Sequence, residues 1–594
     1  METLSTEVLV VGGGTGGTAA ALQAARRGAQ TILVSEGPWL GGMLTAAGVS
    51  APDGNELCAF QTGIWGAFLR ALEQRQPGGL DHGWVSFFTY EPRVGAAIFA
   101  DWVNALPNLS WISGQRPRGV SRQGDRITGV EFNDFTVQAQ ITLDGTELGD
   151  LLTLGAVPHR WGWEDKTQWQ EPSAPDSLTD PTDPLYEVVQ RYPVQAPTWV
   201  VVMADYGEGQ AASTIPNPVA DAEDWASAFE GAWEGYGGES FLNYGRLPGN
   251  RFMINWPQQG NDYGVNLEAL VGDASAQQNW SRAAIAHSQA FAHYIQKHLG
   301  NRYGLATDTF PQLDQGGGAF ALQPYYRESR RLVGTTTITE QDLLPVKDGN
   351  VAPLPINSQG EMSGIAIGNY PNDHHYPGFD FPLAPKSLRW GGRWTGTPFT
   401  LPYEALVPEQ IDGLLACDKN ISVSHIANGV TRLQPTILGV GQAAGMAAAL
   451  CVERGCQPRN LPVSDLQTAL LSDPTAPVAI IPCFDLLPDS GTQQQQYCQQ
   501  PESYPQDGYC KATLPQPELD CPKFQGWLEP DSTGDLWQFT PDGSTQQAST
   551  VVTLHPLACQ QLRTVTTAQS VTLWGWPNRA GNWLRTMQIK PMTQ

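Results

Sequence analysis

Residues 7–37 read EVLVVGGGTGGTAAALQAARRGAQTILVSEG, and the order of residue types in this stretch decides the fold. Residues 8–11 form a short run without a polar side chain, the pattern of a strand buried on both faces. The run breaks into six residues, 12–17, of which five are glycine and one is Thr15. Gly12, Gly14 and Gly17 stand at the GxGxxG spacing, with Gly16 between the last two. The first glycine turns the chain sharply, the second admits a phosphate against the backbone, and the third lets the next helix lie close to the strand. The alanine- and leucine-rich segment that follows predicts a helix ending at Gly28. Its N-terminus points free N–H groups and a positive dipole end at the turn, which suits an anion. A second apolar strand ends at Glu36, 19 residues beyond Gly17, where a carboxylate accepts hydrogen bonds from ribose hydroxyls. Strand, helix, second strand and terminal acid are in register, so the unit predicts a dinucleotide site.

Outward from this unit, Gly41, Gly42 and Met43 make a second place where backbone approaches a ligand closely. A helix is predicted over 63–74. Residues 111–152 read as successive short strands with a turn at 123–125, the last strand running into a backbone turn at Asp144, Gly145 and Thr146. From 155 to 398 the chain is irregular and rich in tryptophan and proline, with a helix over 276–298, and reads as a substrate-binding cap. Nucleotide-domain character returns over 411–455. There Pro435 sits where a first helical residue tolerates proline, and Gly439, Gly441 and Gly445 leave one helix face bare to a backbone or a planar ring. A simple NAD dehydrogenase has no need of such a returning helix, whereas FAD is long enough to need protein at both ends. The helix N-terminus near 434–437 would present N–H groups to the pyrimidine edge of a flavin, where charge collects on reduction. After about residue 470 a separate appendage is expected, opening with the low-complexity GTQQQQYCQQ and continuing as short strands. No internal repeat is found.

The 594 residues exceed one hydrophobic core and predict two or three domains. With 41% hydrophobic and 16% charged residues the chain is globular. A formal net charge of −25 disfavours nucleic acid and anionic lipid, which demand a basic surface. No run approaches the length of a membrane span, and an apolar strand starting at Val8 leaves no room for a leader, so the expected location is cytoplasmic. The nine cysteines, at 58, 417, 451, 456, 483, 498, 510, 521 and 559, contain no CxxC pair. No zinc ribbon or dithiol centre is therefore expected, and no metal site. Clustering of five of them beyond residue 480 would suit disulfides in an oxidising compartment; the cytoplasmic expectation favours free thiols.

Taken together, VVGGGTGGTAAALQAARRGAQTILVSEGPWLGGMLT, ITLDGTELGDLLTLGAVPHRWGWE, YYRESRRLVGTTTITEQDL, AIGNYPNDHHYPG and FTLPYEALVPEQIDGLLACDKNISVSHIANGVTRLQPTILGVGQAAGMAAAL resemble the FAD-dependent oxidoreductases of glutathione-reductase type, related more distantly to fumarate reductase flavoprotein subunits. The resemblance spans about residues 7–470 and leaves out the appendage. It implies an α/β fold: a Rossmann-like FAD-binding domain over 1–158 and 399–472 with an inserted α+β substrate cap over 159–398, to which the reading of the sequence adds a small β-rich C-terminal appendage over 473–594. It implies FAD with its adenosine at Glu36, its pyrophosphate at Gly12–Gly17 and its flavin against 428–440, so Asn428, Arg432, Thr436 and Ile437 join the expected cofactor-binding residues. Substrate and electron acceptor are not implied.

A flavin takes a hydride at N5, and the protein must supply proton transfer and a substrate clamp. His374 and His375, following Asp373, are the leading candidates for the base. Adjacent residues of an extended segment point to opposite sides, so one at most faces the flavin; the competing reading is that both merely bond the loop. Arg327, Arg330 and Arg331 offer a bidentate carboxylate clamp or a counter-charge to an anionic flavin, against the alternative of surface pairs with Glu328 and its neighbours. Of these, Arg327 and Arg330 are taken as catalytic candidates. His425, just ahead of Asn428, is the remaining one. His287, His293 and His298 do not share one helical face and are assigned to packing. The tryptophans of HRWGWEDKTQW and RWGGRWTG offer flat walls for a sugar or aromatic ring, with core filling the commoner fate. The expected function is a dehydrogenase or oxidase moving a hydride between a small organic substrate and flavin N5. Its rivals are a reductase of an activated C=C bond and a non-catalytic flavin-binding scaffold.

Overall fold

The structure is a computed structural model that describes residues 2–218, 225–384, 387–543 and 548–592. Strand β1 (Glu2–Val11) begins six residues before the apolar run, pairing from Glu2 with β6 (Phe135–Asp144). Helix α1 (Thr15–Arg27) ends on Gly28, whose φ of +117° is open to glycine, and leads into β2 (Thr31–Ser35). The central sheet runs β3 (Leu109–Ser113), β2, β1, β6, β5 (Arg126–Glu131), β4 (Gly119–Gln123), with β3, β2, β1 and β6 parallel and β4–β5–β6 antiparallel. This is a mixed α/β fold with a Rossmann-like sheet.

Strand β6 does double duty along one edge. Its first half pairs with β5, and its second half pairs in parallel with β7 (Leu414–Ala416), where Ala416 lies opposite Asp144. Val11 in turn faces both Val34 and Asp144. The carboxyl ends of four parallel strands, two of them separated by some 270 residues of chain, therefore meet at one place. That is where ligands bind in open α/β sheets.

Helices α3 (His425–Thr431) and α4 (Gln434–Arg454) follow β7. The glycine face of α4 admits backbone, not a ring: a Cβ on Gly441 would stand 2.1 Å from the Gly16 carbonyl oxygen and one on Gly445 2.2 Å from that of Ala20. Of the described helices, α4 alone is long and apolar enough to cross a membrane, and 89% of its apolar window is buried inside the protein. Its apolarity is spent on α1 and the sheet.

The region read as irregular holds more order than its sequence suggests. An antiparallel sheet of residues 303–305, 201–205, 251–254 and 246–247 packs with helix α2 (Ala274–Leu299) around Phe229, Phe241, Phe252, Trp256, Phe291 and Ile295. These strands run two to five residues, too short for alternation to register. Beyond residue 472 the apolar run VAIIPCFDLL continues the main core through Val478, Ile480, Ile481, Phe484 and Leu486. The glutamine-rich stretch forms a helix, Gly491–Gln499, whose buried Gln494 accepts from the N–H groups of Ile480 and Ile481 at 2.9 and 2.7 Å. A closed barrel of β8 (Lys523–Pro530), β9 (Trp537–Pro541), β10 (Ser549–Val552), β12 (Trp583–Pro591) and β11 (Gln569–Asn578) ends the chain with a core of its own. The nine cysteines are free thiols.

Candidate active site

The glycine turn is built by contact with two other strand ends. Gly12 has φ +106°, and a Cβ on it would stand 2.1 Å from the Gly145 carbonyl oxygen. A Cβ on Gly17 would stand 2.1 Å from the Gly12 carbonyl oxygen. Gly145 thus belongs to the cradle because it is pressed against the turn. Beside it, Asp144 accepts from the Thr146 N–H at 3.1 Å and hydroxyl at 2.6 Å, and burial lifts its carboxyl to about 7. Thr15 ties α1 to the second turn: its hydroxyl donates to the Gly41 carbonyl at 2.9 Å and accepts from the Met43 N–H at 3.1 Å. Gly41 and Gly42 both have positive φ.

Asp418, just past β7, escaped the sequence reading. Its carboxylate accepts from the Gly16 N–H at 2.8 Å, occupying one free donor of α1. Lys419, fully buried, bonds Asp418 at 2.9 Å and Glu147 at 2.6 Å. Burial works against its charge, yet Asp418 and Glu147 hold the ammonium above the ordinary lysine range. The overlooked signal is IDGLLACD, an apolar run closing on an acid, as TILVSE closes on Glu36.

A cleft of about 840 Å³, part of it open to solvent, runs along these strand ends from Glu36, Gln115 and Arg116 past Gly12–Gly14 and Gly145–Leu148 to Gln323 and Tyr326. Glu36 pairs with Arg116 at its outer end. Helix α4 follows its N-cap Leu433 with no side-chain cap, so the N–H groups of Gln434 and Thr436 are open, while Pro435 has none to satisfy. Unpartnered buried polar atoms gather here: Asn428 Oδ1, Arg432 Nε, Asn372 Oδ1 and both amide atoms of Gln434. Thr436 is buried in the same first turn, and Ile437 packs in one cluster with Met43 and Tyr325.

Next to this junction four of the five predicted catalytic residues fall into two side-chain chains, one through His375 and Arg327 and one through His374 and His425, while Arg330 bonds elsewhere. His375 Nδ1 lies 2.6 Å from Asp262 Oδ2 and its Nε2 lies 2.8 Å from Asp373 Oδ2. Arg327 pairs with Asp262 at 3.1 Å, and Arg432 pairs with Asp373 at 3.1 Å and donates to the Tyr325 hydroxyl at 2.6 Å. Arginine, aspartate, histidine, aspartate and arginine alternate in sign along this chain. Burial opposes the charge on Asp373, but His375 and Arg432 hold its carboxyl far below the carboxylate range; Asp262 is lowered likewise by Arg327 and His375. Burial and Arg327 press His375 down, and the two carboxylates outweigh them, so its value is raised. His374 points the other way, to the Tyr376 hydroxyl at 2.8 Å and the Ile426 carbonyl at 3.0 Å, and burial beside His425 pushes it well below the ordinary histidine value. Tyr376 also reaches His425 Nε2 at 2.6 Å, and His425 Nδ1 lies 2.8 Å from Glu328. Trp163 covers His425 at 3.9 Å between ring centres.

The two histidines diverge, as adjacent extended residues should. The three arginines do not make surface pairs: Arg327, Arg330 and Arg331 are all buried, Arg330 on Asp150 and the Leu148 carbonyl, Arg331 on Glu164 and Glu328. Three buried guanidinium groups need internal acceptors, and Asp150, Glu164 and Asp262 supply them. A second open cleft, about 1070 Å³, is lined by Asp262, Asp373, His374, His375 and Tyr376 on the outer side of the network. Among the described residues no group of three or more His, Cys, Asp or Glu is placed to hold a metal ion.

Residues 7–470 match the family described as FAD dependent oxidoreductase. The chain belongs to that family. It is an enzyme, and FAD is its cofactor. No curated protein matches it. Among solved structures it is similar to the thioredoxin reductase of T. acidophilum, with 19% identity over 28% of this chain and 40% of that one at a TM-score of 0.16. It is similar to p-nitrophenol 4-monooxygenase from Pseudomonas putida DLL-E4, at 11% identity over 35% and 49% with a TM-score of 0.20. The L-proline dehydrogenase of P. horikoshii matches at 17% identity over 28% and 25%, TM-score 0.16. The chain thus spans less than half the length of each of these proteins. The residues fit the cofactor on three counts: a glycine cradle in which a side chain has no room, a cleft of ligand size, and buried polar atoms around the start of α4 that the protein leaves without partners.

Proposed function

We propose that this enzyme dehydrogenates a small hydroxylated organic molecule. Adenosine would lie at Glu36 and Arg116, the pyrophosphate along Gly12–Gly17 and Gly41–Gly42, and the flavin between Met43 and the start of α4, in the manner of the glutathione-reductase type. Residues 159–398 serve as the substrate cap. The observation that carries this reading is the set of unpartnered buried atoms at the α3–α4 junction, Asn428 Oδ1, Arg432 Nε and the Gln434 amide, beside carboxylates and histidines that open to solvent.

FAD supplies a two-electron acceptor. The chain supplies the rest: the uncapped N–H groups of α4 favour negative charge at the pyrimidine edge, and the carboxylate oxygens of Asp262 and Asp373 on the cleft floor offer acceptors to hydroxyl groups. Reduction of an activated C=C bond by an arginine donor is disfavoured, because Arg327, Arg330 and Arg331 are committed to internal acceptors. Disulfide reduction lacks a cysteine pair at the flavin segments.

The absorption spectrum of the purified protein, before and after acid precipitation, tests for flavin and for its covalent attachment. Anaerobic bleaching by a panel of polyols, hydroxy acids and amines tests the chemistry. A bound flavin that none of the hydroxylated compounds bleaches would sink the dehydrogenase reading.

A further inference from the structure

The partners of each histidine fix where the ring protons lie. His375 faces a carboxylate oxygen with each nitrogen, so both nitrogens donate and neither has a lone pair to offer. His374 Nε2 faces the Ile426 carbonyl, which can only accept, so that nitrogen carries a proton and Nδ1 accepts from the Tyr376 hydroxyl. With its proton turned to His374, the Tyr376 oxygen accepts from His425 Nε2, whose other nitrogen meets Glu328. None of the three has a free lone pair, which leaves the site without a histidine base. Asp262 and Asp373 are locked as anions between cations.

One carboxyl beside this network is different. Asp53 Oδ1 is buried and bonds nothing in the protein, while the same carboxyl takes a hydrogen bond from Tyr370. Its loop is pinned on both flanks: the Pro52 carbonyl accepts from the Ser86 hydroxyl at 2.6 Å, and Asn55 bonds the carbonyls of Asn369 and Ile367 at 3.2 and 3.1 Å. Gly54 rests on Leu433 and Tyr370, so Asp53 stands at the start of α4. Tyr244 lies within electrostatic reach of Asp53, Asp373, Asp262 and Arg327 at once, so Asp53 belongs to the same charged neighbourhood as the ion chain. Asp53, Tyr244, Tyr370 and Asn372 are each only half-buried although they lie inside the protein.

We propose that Asp53 is the proton acceptor of the dehydrogenation, a role resting on the reading of the site given above. The substrate O–H bond breaks and its proton passes to Asp53 Oδ1. The adjacent C–H bond gives its electron pair as a hydride to the flavin, and the C=O bond forms. The groups around Asp53 suit it to the task. Burial, Asp373 and Glu56 raise its carboxyl to about 7, against the pull of Arg432 and the Tyr370 hydrogen bond. A base poised near neutrality is what proton transfer at physiological pH requires. Burial keeps the Tyr244 and Tyr370 phenols neutral.

The test is a pH titration of the flavin absorption spectrum from about pH 5 to about pH 9 in FAD-loaded wild type, D53N and D53E. Wild type is expected to show a one-proton spectral shift with a midpoint near about 7; D53N is expected to lose it and D53E to displace it. The hydroxylated compound that bleaches wild type fastest should bleach D53N about 10²–10⁴-fold more slowly, with FAD content unchanged. A shift that survives in D53N, or bleaching that D53N leaves intact, overturns the assignment of Asp53 alone. Wild type that holds no FAD overturns the dehydrogenase reading and this proposal with it. Should D53N fail to retain FAD, an unchanged midpoint in D53E refutes the role.

Discussion

Gly12 shows how little freedom a single position in this site has. Its φ of +106° is strained for any other residue, and a Cβ would overlap the Gly145 carbonyl oxygen at 2.1 Å. G12A is therefore expected to cost about 1–3 kcal/mol from the backbone alone and to force β1 and β6 apart at the cradle. Protein purified from this variant should be colourless where wild type is yellow; full flavin content in G12A would refute the packing argument. Asp418 and His375 make the complementary point. Asp418 is a residue whose role depends on a partner roughly 400 positions away, Gly16. His375 reads from sequence as a poised base, but two carboxylates meet its ring and convert it into the cation at the middle of an ion chain.

At the scale of elements, the contact of α1 with α4 is backbone against backbone. Gly445 exists to let it happen, with the Ala20 carbonyl oxygen 2.2 Å from where its Cβ would be. G445V is expected to destabilise by about 1–3 kcal/mol through overpacking, read as a lower thermal midpoint, and to weaken FAD retention because α1 carries the cradle. A second element, α3, begins on Ser424, whose hydroxyl donates to the buried Glu171. Burial lifts the Glu171 carboxyl to about 7, opposed by Ser424 and the Glu340 N–H. The folded value lies above the unfolded one, so the folded protein binds the extra proton between them. Stability is full below the ordinary carboxylate value and falls as pH rises toward about 7. E171Q should remove a decline of about 1–3 kcal/mol over that window, measured by denaturant unfolding at several pH values. An E171Q slope equal to wild type would show that Glu171 is not its source.

For the whole molecule, the question is how the barrel is held. Asp81 accepts from Asn578 at 2.5 Å and from the Trp583 indole at 3.3 Å, and pairs with Arg585 at 3.3 Å. Phe87 and Arg393 pack on Trp583 beside it. Burial raises the Asp81 carboxyl, and Arg585 counters it. Because the barrel has its own core, D81A is expected to loosen docking and leave folding intact. Proteolytic cutting within 511–522 should accelerate several-fold, with the flavin spectrum unchanged; an unchanged cutting rate would mean that the barrel is held elsewhere.

The sequence by itself determined the strand–turn–helix unit, the returning helix and the cofactor family, because glycine spacing, helix caps and apolar runs are local, and each glycine position has a steric reason that does not depend on distant chain. The short strands of 201–305 and the join of residues 476–486 to the main core were not legible, since two- to five-residue strands carry no period and an apolar run does not say which core it enters. Only the tertiary structure decided which titratable groups are engaged by partners and which keep an atom free. The availability of a lone pair on His374, His375 or Asp53 depends on partners brought together by folding: Asp262 lies 113 residues from His375, and Tyr370 lies more than twice as far along the chain from Asp53.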